Sequence, residues 1–195
     1  MKERGPGTDS PTRPVRSDAE ALFREHGRYV AGFLSRLGVR GPDVDDLVQE
    51  VFLVVHRQGG HVAGPARPTT WLAEIALRVA MAARRKGRRT SLLSDPERAE
   101  GVPEHMTPHD ELVHARAVRS VQAALDGLDL ERRAIFVLYE MEGESCDAIA
   151  ATFGIPVGTV YSRLHTARDE FLHAYARLVG MEPSSLRGGP AGSST

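Results

Sequence analysis

Residues 142–168 constrain the fold of this chain more than any other segment, because they predict two helices joined by a tight turn. Ser145 is placed to cap the first helix by accepting a hydrogen bond from a free backbone N–H of its first turn. Gly154 stands where that helix ends and a left-handed residue is needed, and Pro156 cannot continue it. The second helix buries residues spaced by four, three and four, which are Val160, Leu164, Ala167 and Phe171. This pattern predicts a helix-turn-helix.

The outer face of the second helix carries hydrogen-bonding and cationic side chains, which suit a helix lying in the major groove of duplex DNA. They are Thr159, Tyr161, Ser162, Arg163, His165, Thr166 and Arg168. The alternative is an ordinary helical hairpin with a solvated outer face, on which Arg168 pairs with Asp169 or Glu170. We interpret the face as a DNA contact because the turn, the buried positions and the outer positions agree.

The composition favours small helical bundles, since 41% of the residues are hydrophobic and only 6% are aromatic. The formal net charge of -1 does not itself indicate nucleic acid, but the charges are unevenly placed. One segment is acidic, with Asp43, Asp45, Asp46 and Glu50. Another is basic, with Arg84, Arg85, Lys86, Arg88 and Arg89. Two segments of opposite charge indicate two different partners.

Several classes of function are disfavoured. No apolar run approaches the roughly 18 residues of a membrane span, and the N-terminus lacks an apolar signal core, so we expect no membrane insertion and a cytoplasmic protein. The chain carries no P-loop, nucleophile elbow, zinc-protease or dinucleotide motif, so we expect no enzyme, no catalytic residue, no cofactor and no small-molecule substrate.

The isolated cysteine and histidines are given structural interpretations. Cys146, the only cysteine, allows neither an intramolecular disulfide nor a multi-cysteine zinc site. Its place near a helix start leaves redox sensing as an alternative to packing. His105 and His109 have a spacing that suits a metal in a helix, but an acidic solvated linker is the preferred interpretation, so no metal site is predicted.

The helical patterns predict an all-α fold of two small domains joined by a flexible linker. The second domain is expected to be a four-helix, winged-helix-like unit that contains the helix-turn-helix. The glycines and prolines between Gln58 and Thr70 indicate a loop. The predicted boundaries are a disordered N-terminus at 1–16, a first domain at 17–89, a linker at 90–111, a second domain at 112–179 and a disordered tail at 180–195.

Three motifs occur in order: residues 45–52 (Asp-Asp-Leu-Val-Gln-Glu-Val-Phe), residues 71–76 (Trp-Leu followed by Ile-Ala) and residues 158–164 (Gly-Thr-Val-Tyr-Ser-Arg-Leu). Together they resemble a bacterial RNA polymerase sigma factor of the extracytoplasmic-function (group IV) class of the sigma-70 family, over about residues 18–175. The resemblance implies an alternative sigma factor that binds core RNA polymerase, directs promoter-specific transcription initiation and is often held by an anti-sigma factor. The alternatives are a two-domain helix-turn-helix regulator and a non-initiating decoy that binds polymerase or an anti-sigma factor.

The resemblance also implies roles for particular residues. The first domain corresponds to sigma region 2, in which Asp45, Asp46, Gln49 and Glu50 fall on the polymerase-binding helix. The second corresponds to sigma region 4, whose recognition helix reads the minus-thirty-five promoter element as duplex. The helix that opens the minus-ten element and captures its strand carries Trp71, Arg78, Arg84, Arg85, Lys86, Arg88 and Arg89. Trp71 either stacks on an exposed base or belongs to the core.

The chain departs from the family pattern at three positions. Arg78 and Ala82 stand where the family's opening helix usually has Asn and Asp, so the polar contacts of those two residues cannot be transferred. Thr166 stands where Arg is common. These departures predict an altered promoter preference.

Overall fold

The computed structural model describes residues 16–62, 67–90 and 108–186. The first helix, α1 (Ala19–Arg36), begins where Asp18 accepts a hydrogen bond from the backbone N–H of Ala21 at 2.8 Å. The helix ends before Gly38, whose φ of 93° lies in the left-handed region. It buries one face, formed by Leu22, Val30, Phe33 and Leu34.

Two further helices complete the N-terminal half, by which we mean residues 16–90. They are α2 (Asp43–Arg57) and α3 (Pro68–Thr90), and both pack against α1 and each other. The predicted loop between Gln58 and Thr70 contains a short strand, β2 (His61–Val62), which pairs antiparallel with β1 (Arg16–Ser17). Arg16 therefore belongs to a strand, although it was expected to end the disordered N-terminus.

The C-terminal half, residues 108–186, is also helical. Its elements are α4 (Pro108–Asp126), α5 (Leu130–Phe136), a π-helical segment (Val137–Met141), α6 (Cys146–Phe153), α7 (Val157–Val179) and α8 (Pro183–Leu186). Two of these differ from the expected boundaries. The helix α4 begins at Pro108 instead of near Leu112, and α8 lies within the tail expected to be disordered. Residues 1–15, 91–107 and 187–195, on which the other predictions of disorder and of the linker fall, lie outside the described residues.

The two halves share one continuous hydrophobic core. The helix α3 packs against α1 and α2 on one side and against α5 and α6 on the other. Leu72, Ile75 and Ala76 of α3 are fully buried, as are Ile135 and Ile149 of the C-terminal half. Burial of each of these leucine and isoleucine side chains stabilises the fold by about 1.5–3 kcal/mol. None of the helices within the described ranges is long and apolar enough to cross a membrane.

Candidate nucleic-acid and polymerase interfaces

The helix-turn-helix has the local geometry that its sequence predicts. Ser145 Oγ accepts a hydrogen bond from the backbone N–H of Ala148 at 3.1 Å, which begins α6. Gly154 ends α6 with a φ of 64° and a ψ of 33°, and Pro156 precedes the first residue of α7. Val160, Leu164 and Ala167 are buried against α5 and α6, and the ring of the half-buried Phe171 lies 4.8 Å from that of Phe136 at an interplanar angle of 30°. The turn therefore holds α7 as the outermost helix of the motif.

The outer face of α7 presents several of the predicted DNA contacts to solvent. Tyr161 is 57% exposed, and the side chain of His165 is 81% exposed, with its Nε2 3.7 Å from Asp169. Ser162 is also exposed. Thr159 is half-buried in the first turn, and the Thr166 hydroxyl donates to the Ser162 carbonyl oxygen at 3.1 Å. The exposed side chains near the start of α7 are the ones that reach base edges when such a helix enters a major groove.

The two arginines of this face are held by carboxylates of the same half. Arg163 Nη2 lies 2.7 Å from Glu131 Oε2. Arg168 Nε donates to Glu140 Oε1 at 2.5 Å, and its guanidinium lies 5.0 Å from the centre of the Tyr139 ring. The hydrogen bond from Arg168 to Glu140 raises the pKa of the guanidinium. The sequence had offered Asp169 or Glu170 as the surface partner of Arg168. The partner in the structure is Glu140, which is 28 positions away and cannot be predicted from a local pattern.

The helix α3 carries the residues expected to handle the opened strand. Trp71 is half-buried on the edge of the core, where its ring lies 5.1 Å from that of His61. Arg78 is exposed and pairs with Glu74 at 2.6 Å, and burial raises the pKa of that carboxyl against the opposing effect of Arg78. Ala82, Arg84, Arg85 and Lys86 are exposed on the last turns. Arg88 and Arg89 lie in α3, but their side chains are outside the described ones.

The helix α2 presents the predicted polymerase contacts outward, since Asp45, Asp46, Gln49 and Glu50 are all exposed. Asp45 and Asp46 lie in the first turn, where they complement the helix dipole. Sequence reasoning missed Leu53, which is 53% exposed and follows Gln49 by four residues on the same face. Its signal was available, because Leu53 falls between two inward positions of the apolar pattern. A single exposed leucine is common on protein surfaces, so Leu53 adds to this face without itself identifying an interface.

The remaining candidates have structural explanations. Cys146 is buried, and its burial together with the adjacent Asp147 raises the pKa of the thiol, which opposes thiolate formation and redox sensing. Among the residues with described side chains, no group of histidine, cysteine and carboxylate residues is placed to hold a metal ion. His105 and His109, for which a solvated linker was preferred to a metal site, lie outside those side chains.

Family models match both halves of the chain. The model described as "Sigma-70 region 2" matches residues 22–90, which include α1, α2 and α3. The model described as "Sigma-70, region 4" matches residues 119–170, which include the helix-turn-helix. The two matches occur in the order of the three motifs.

Relatives and solved structures agree with these models. The chain is 34% identical over 152 residues to "ECF RNA polymerase sigma factor SigE" of Mycolicibacterium smegmatis, covering 77% of this chain and 59% of that protein. It is 32% identical over 156 residues to "ECF RNA polymerase sigma-E factor" of Haemophilus influenzae, covering 76% and 82%. Its fold is similar to that of the sigma factor RpoE of Bartonella quintana, solved with the anti-sigma factor NepR, with a TM-score of 0.59, 20% identity and coverage of 84% and 97%. The chain therefore belongs to the extracytoplasmic-function class of the sigma-70 family of RNA polymerase sigma factors.

Proposed function

We propose that this chain is an alternative sigma factor that binds core RNA polymerase and directs promoter-specific transcription initiation. One observation carries the proposal. The chain combines an exposed recognition helix, α7, with a second exposed polar surface on α2 that includes Gln49 and Glu50. A repressor needs only the first of these surfaces. Glu50 lies beyond the first turn of α2, where the helix dipole no longer accounts for a carboxylate.

The DNA contacts are divided between the two halves. In this proposal residues 112–179 read the minus-thirty-five element as duplex through α7, with Tyr161, Ser162 and His165 nearest to the bases. Residues 17–89 bind polymerase through α2 and hold the opened minus-ten strand along α3. A track of cations follows phosphates by releasing their counterions, and an aromatic ring gives an unpaired base a surface to stack on. In this proposal the cations that follow the phosphates are Arg84, Arg85 and Lys86, and the ring on which an unpaired base stacks is that of Trp71.

The partners follow from this role. Core polymerase supplies the nucleotide chemistry, so the chain itself catalyses no reaction and takes no cofactor or small-molecule substrate. It acts in the cytoplasm, where polymerase and promoter DNA meet. An anti-sigma factor is the expected negative regulator, since one solved structure of similar fold contains a sigma factor in complex with the anti-sigma factor NepR.

Run-off transcription with core polymerase and a pool of genomic promoter fragments tests the proposal. We expect transcripts that start downstream of one shared two-part motif. Retention on core polymerase without any transcript would favour the decoy, and binding of DNA without retention on polymerase would favour a plain regulator.

A double substitution tests the polymerase surface. Gln49→Ala with Glu50→Ala should weaken binding to core polymerase while leaving the melting temperature unchanged, because both side chains are exposed. The matched control is Glu20→Ala with Arg24→Ala, which removes an exposed ion pair of α1. Equal binding by both double variants would remove α2 from the polymerase interface.

A further inference from the structure

The N-terminal strand β1 is tied by its backbone to the segment that follows α2. Arg16 lies opposite Val62, and Ser17 lies opposite His61, in an antiparallel pair. Two short strands are at best marginally stable by themselves in water, so such a pair forms only where the flanking structure holds both strands. For β1 that structure is α1, because Asp18, the residue after the strand, is the N-cap of this helix.

The strand β2 is fixed by the end of α2. Gly59 and Gly60 have φ angles of 75° and 81°, a left-handed conformation that residues with a side chain rarely adopt. The backbone N–H of Gly60 donates to the Val55 carbonyl oxygen at 3.0 Å, and that of Gly59 donates to the His56 carbonyl oxygen at 3.0 Å. These two bonds form the Schellman motif that ends many helices. The chain therefore leaves α2 in one defined direction, and His61 is the next residue.

The strand pair places the His61 ring against Trp71. His61 is 9% exposed, and its ring lies 5.1 Å from the indole ring at an interplanar angle of 57°. Burial, followed by the charge of His26, lowers the pKa of His61, so the indole meets an uncharged ring at neutral pH. Trp71 packs on the edge of the core but is only half-buried, so part of its surface remains open to a ligand. His61 is therefore the side chain that joins the strand pair to the indole.

We propose that the β1–β2 strand pair and His61 are positioning elements for Trp71, which hold the indole in place before an unpaired base stacks on it. This inference rests on the proposed function, in which Trp71 contacts the opened minus-ten strand. A side chain that is already ordered loses less conformational entropy on binding, so more of its contact energy appears as affinity. The strand β1 acts through β2 and His61, and neither β1 nor His61 needs to touch DNA.

The fluorescence of Trp71 gives a direct test, because this residue is the only tryptophan of the chain. Quenching by acrylamide in the full-length protein measures how accessible the indole is, without DNA or polymerase. His61→Ala removes the ring contact and should increase quenching. His61→Phe keeps an aromatic ring at this position and should return quenching towards the wild-type value. Melting curves confirm that every variant is folded.

A backbone substitution tests the strand. Proline has no N–H, so the double variant Arg16→Pro with Ser17→Pro removes both backbone donors of β1. The matched control is Arg16→Ala with Ser17→Ala, which removes the same two side chains and keeps the donors. Quenching should increase in the proline variant and should equal the wild-type value in the alanine variant.

Binding of single-stranded DNA by the holoenzyme tests the consequence for function. The probe is the non-template strand of the minus-ten region of a promoter recovered by run-off transcription, and the binding partner is core polymerase reconstituted with each variant. His61→Ala and the proline variant should weaken binding by about two- to tenfold, the loss expected when one side chain must be immobilised on binding. Trp71→Ala should weaken binding by about fivefold or more, because a stacked base loses its platform. In the Trp71→Ala background, His61→Ala should cause no further loss.

Unchanged quenching in His61→Ala overturns the role of His61, and unchanged quenching in the proline variant overturns the role of β1. Increased quenching with unchanged binding of the oligonucleotide overturns the link to DNA. An effect of His61→Ala on binding that persists in the Trp71→Ala background also overturns it, since His61 would then act by another route. If the wild-type holoenzyme does not bind the oligonucleotide, the proposed function falls, while the quenching series still judges the positioning of Trp71.

Discussion

Glu131→Gln should increase the affinity of this protein for duplex DNA, because Glu131 competes with DNA phosphates for Arg163. The Arg163 and Glu131 side chains are 33% and 42% exposed and lie 2.7 Å apart. A pair with that exposure is worth about 0.2–1 kcal/mol after screening by solvent. When Arg163 contacts DNA, the ion pair with Glu131 must break, and the free energy lost in breaking it reduces the free energy of binding. Removing the charge of Glu131 should therefore raise the association constant by about 1.4- to 5-fold.

Fluorescence anisotropy with a labelled duplex of mixed sequence measures this effect, because phosphate contacts do not depend on sequence. The titration is run at low salt, since non-specific binding is weak at physiological salt. A double-mutant cycle assigns the gain to the pair. Arg163→Ala should weaken binding. It should also reduce the slope of a plot of log association constant against log salt concentration by about one.

The reasoning fails if Glu131→Gln leaves the affinity unchanged in the otherwise wild-type chain. It also fails if the gain is equally large in the Arg163→Ala background, because Glu131 would then act through its general negative field and not through the pair. Glu20→Gln, which neutralises a carboxylate of α1 remote from α7 in sequence, is the control for the change in net charge.

Three further predictions concern stability and reactivity. Gly38→Ala should destabilise the fold by about 2 kcal/mol, because the φ of Gly38 is +93° and a Cβ there would lie 2.6 Å from Arg133 Nη1. The control is Gly41→Ala, where φ is +55° and the space around a Cβ is open, so this substitution should destabilise the fold less. Urea denaturation measures the free energy of unfolding of both variants. Burial lowers the pKa of His61, so the folded state binds fewer protons than the unfolded state near that pKa. The melting temperature should therefore decrease as the pH is lowered from about 7.5 to about 5.5. A pH profile that His61→Gln leaves unchanged would contradict this assignment. The Cys146 thiol should react with iodoacetamide at least about tenfold more slowly in the native protein than in urea, because the thiol is buried and its pKa is raised. Equal rates in the two conditions would show that the thiol is accessible in the native protein.

Local signals in the sequence were sufficient for the elements of the candidate site. The cap at Ser145, the left-handed Gly154 and the buried spacing from Val160 to Ala167 depend on neighbouring residues, and the structure confirms each. The helical period also placed the acidic start of α2 on an exposed face. Leu53 escaped because it lies just beyond the motif of residues 45–52, from which the polymerase-binding residues were predicted. The π-helical segment at Val137–Met141 directly follows α5 and was not predicted from the sequence.

The sequence by itself determined the helix-turn-helix, the order of the helices and the residue types that α2, α3 and α7 offer to partners, because these follow from backbone preferences and from the period of one helix. Only the tertiary structure decided which charges neutralise one another. The pairs Arg168–Glu140, Arg36–Glu142 and Arg67–Glu144 join positions 28, 106 and 77 residues apart, and such pairing depends on how helices pack in space. The sequence therefore indicated two helical domains, and packing decided that in this structure they close on each other.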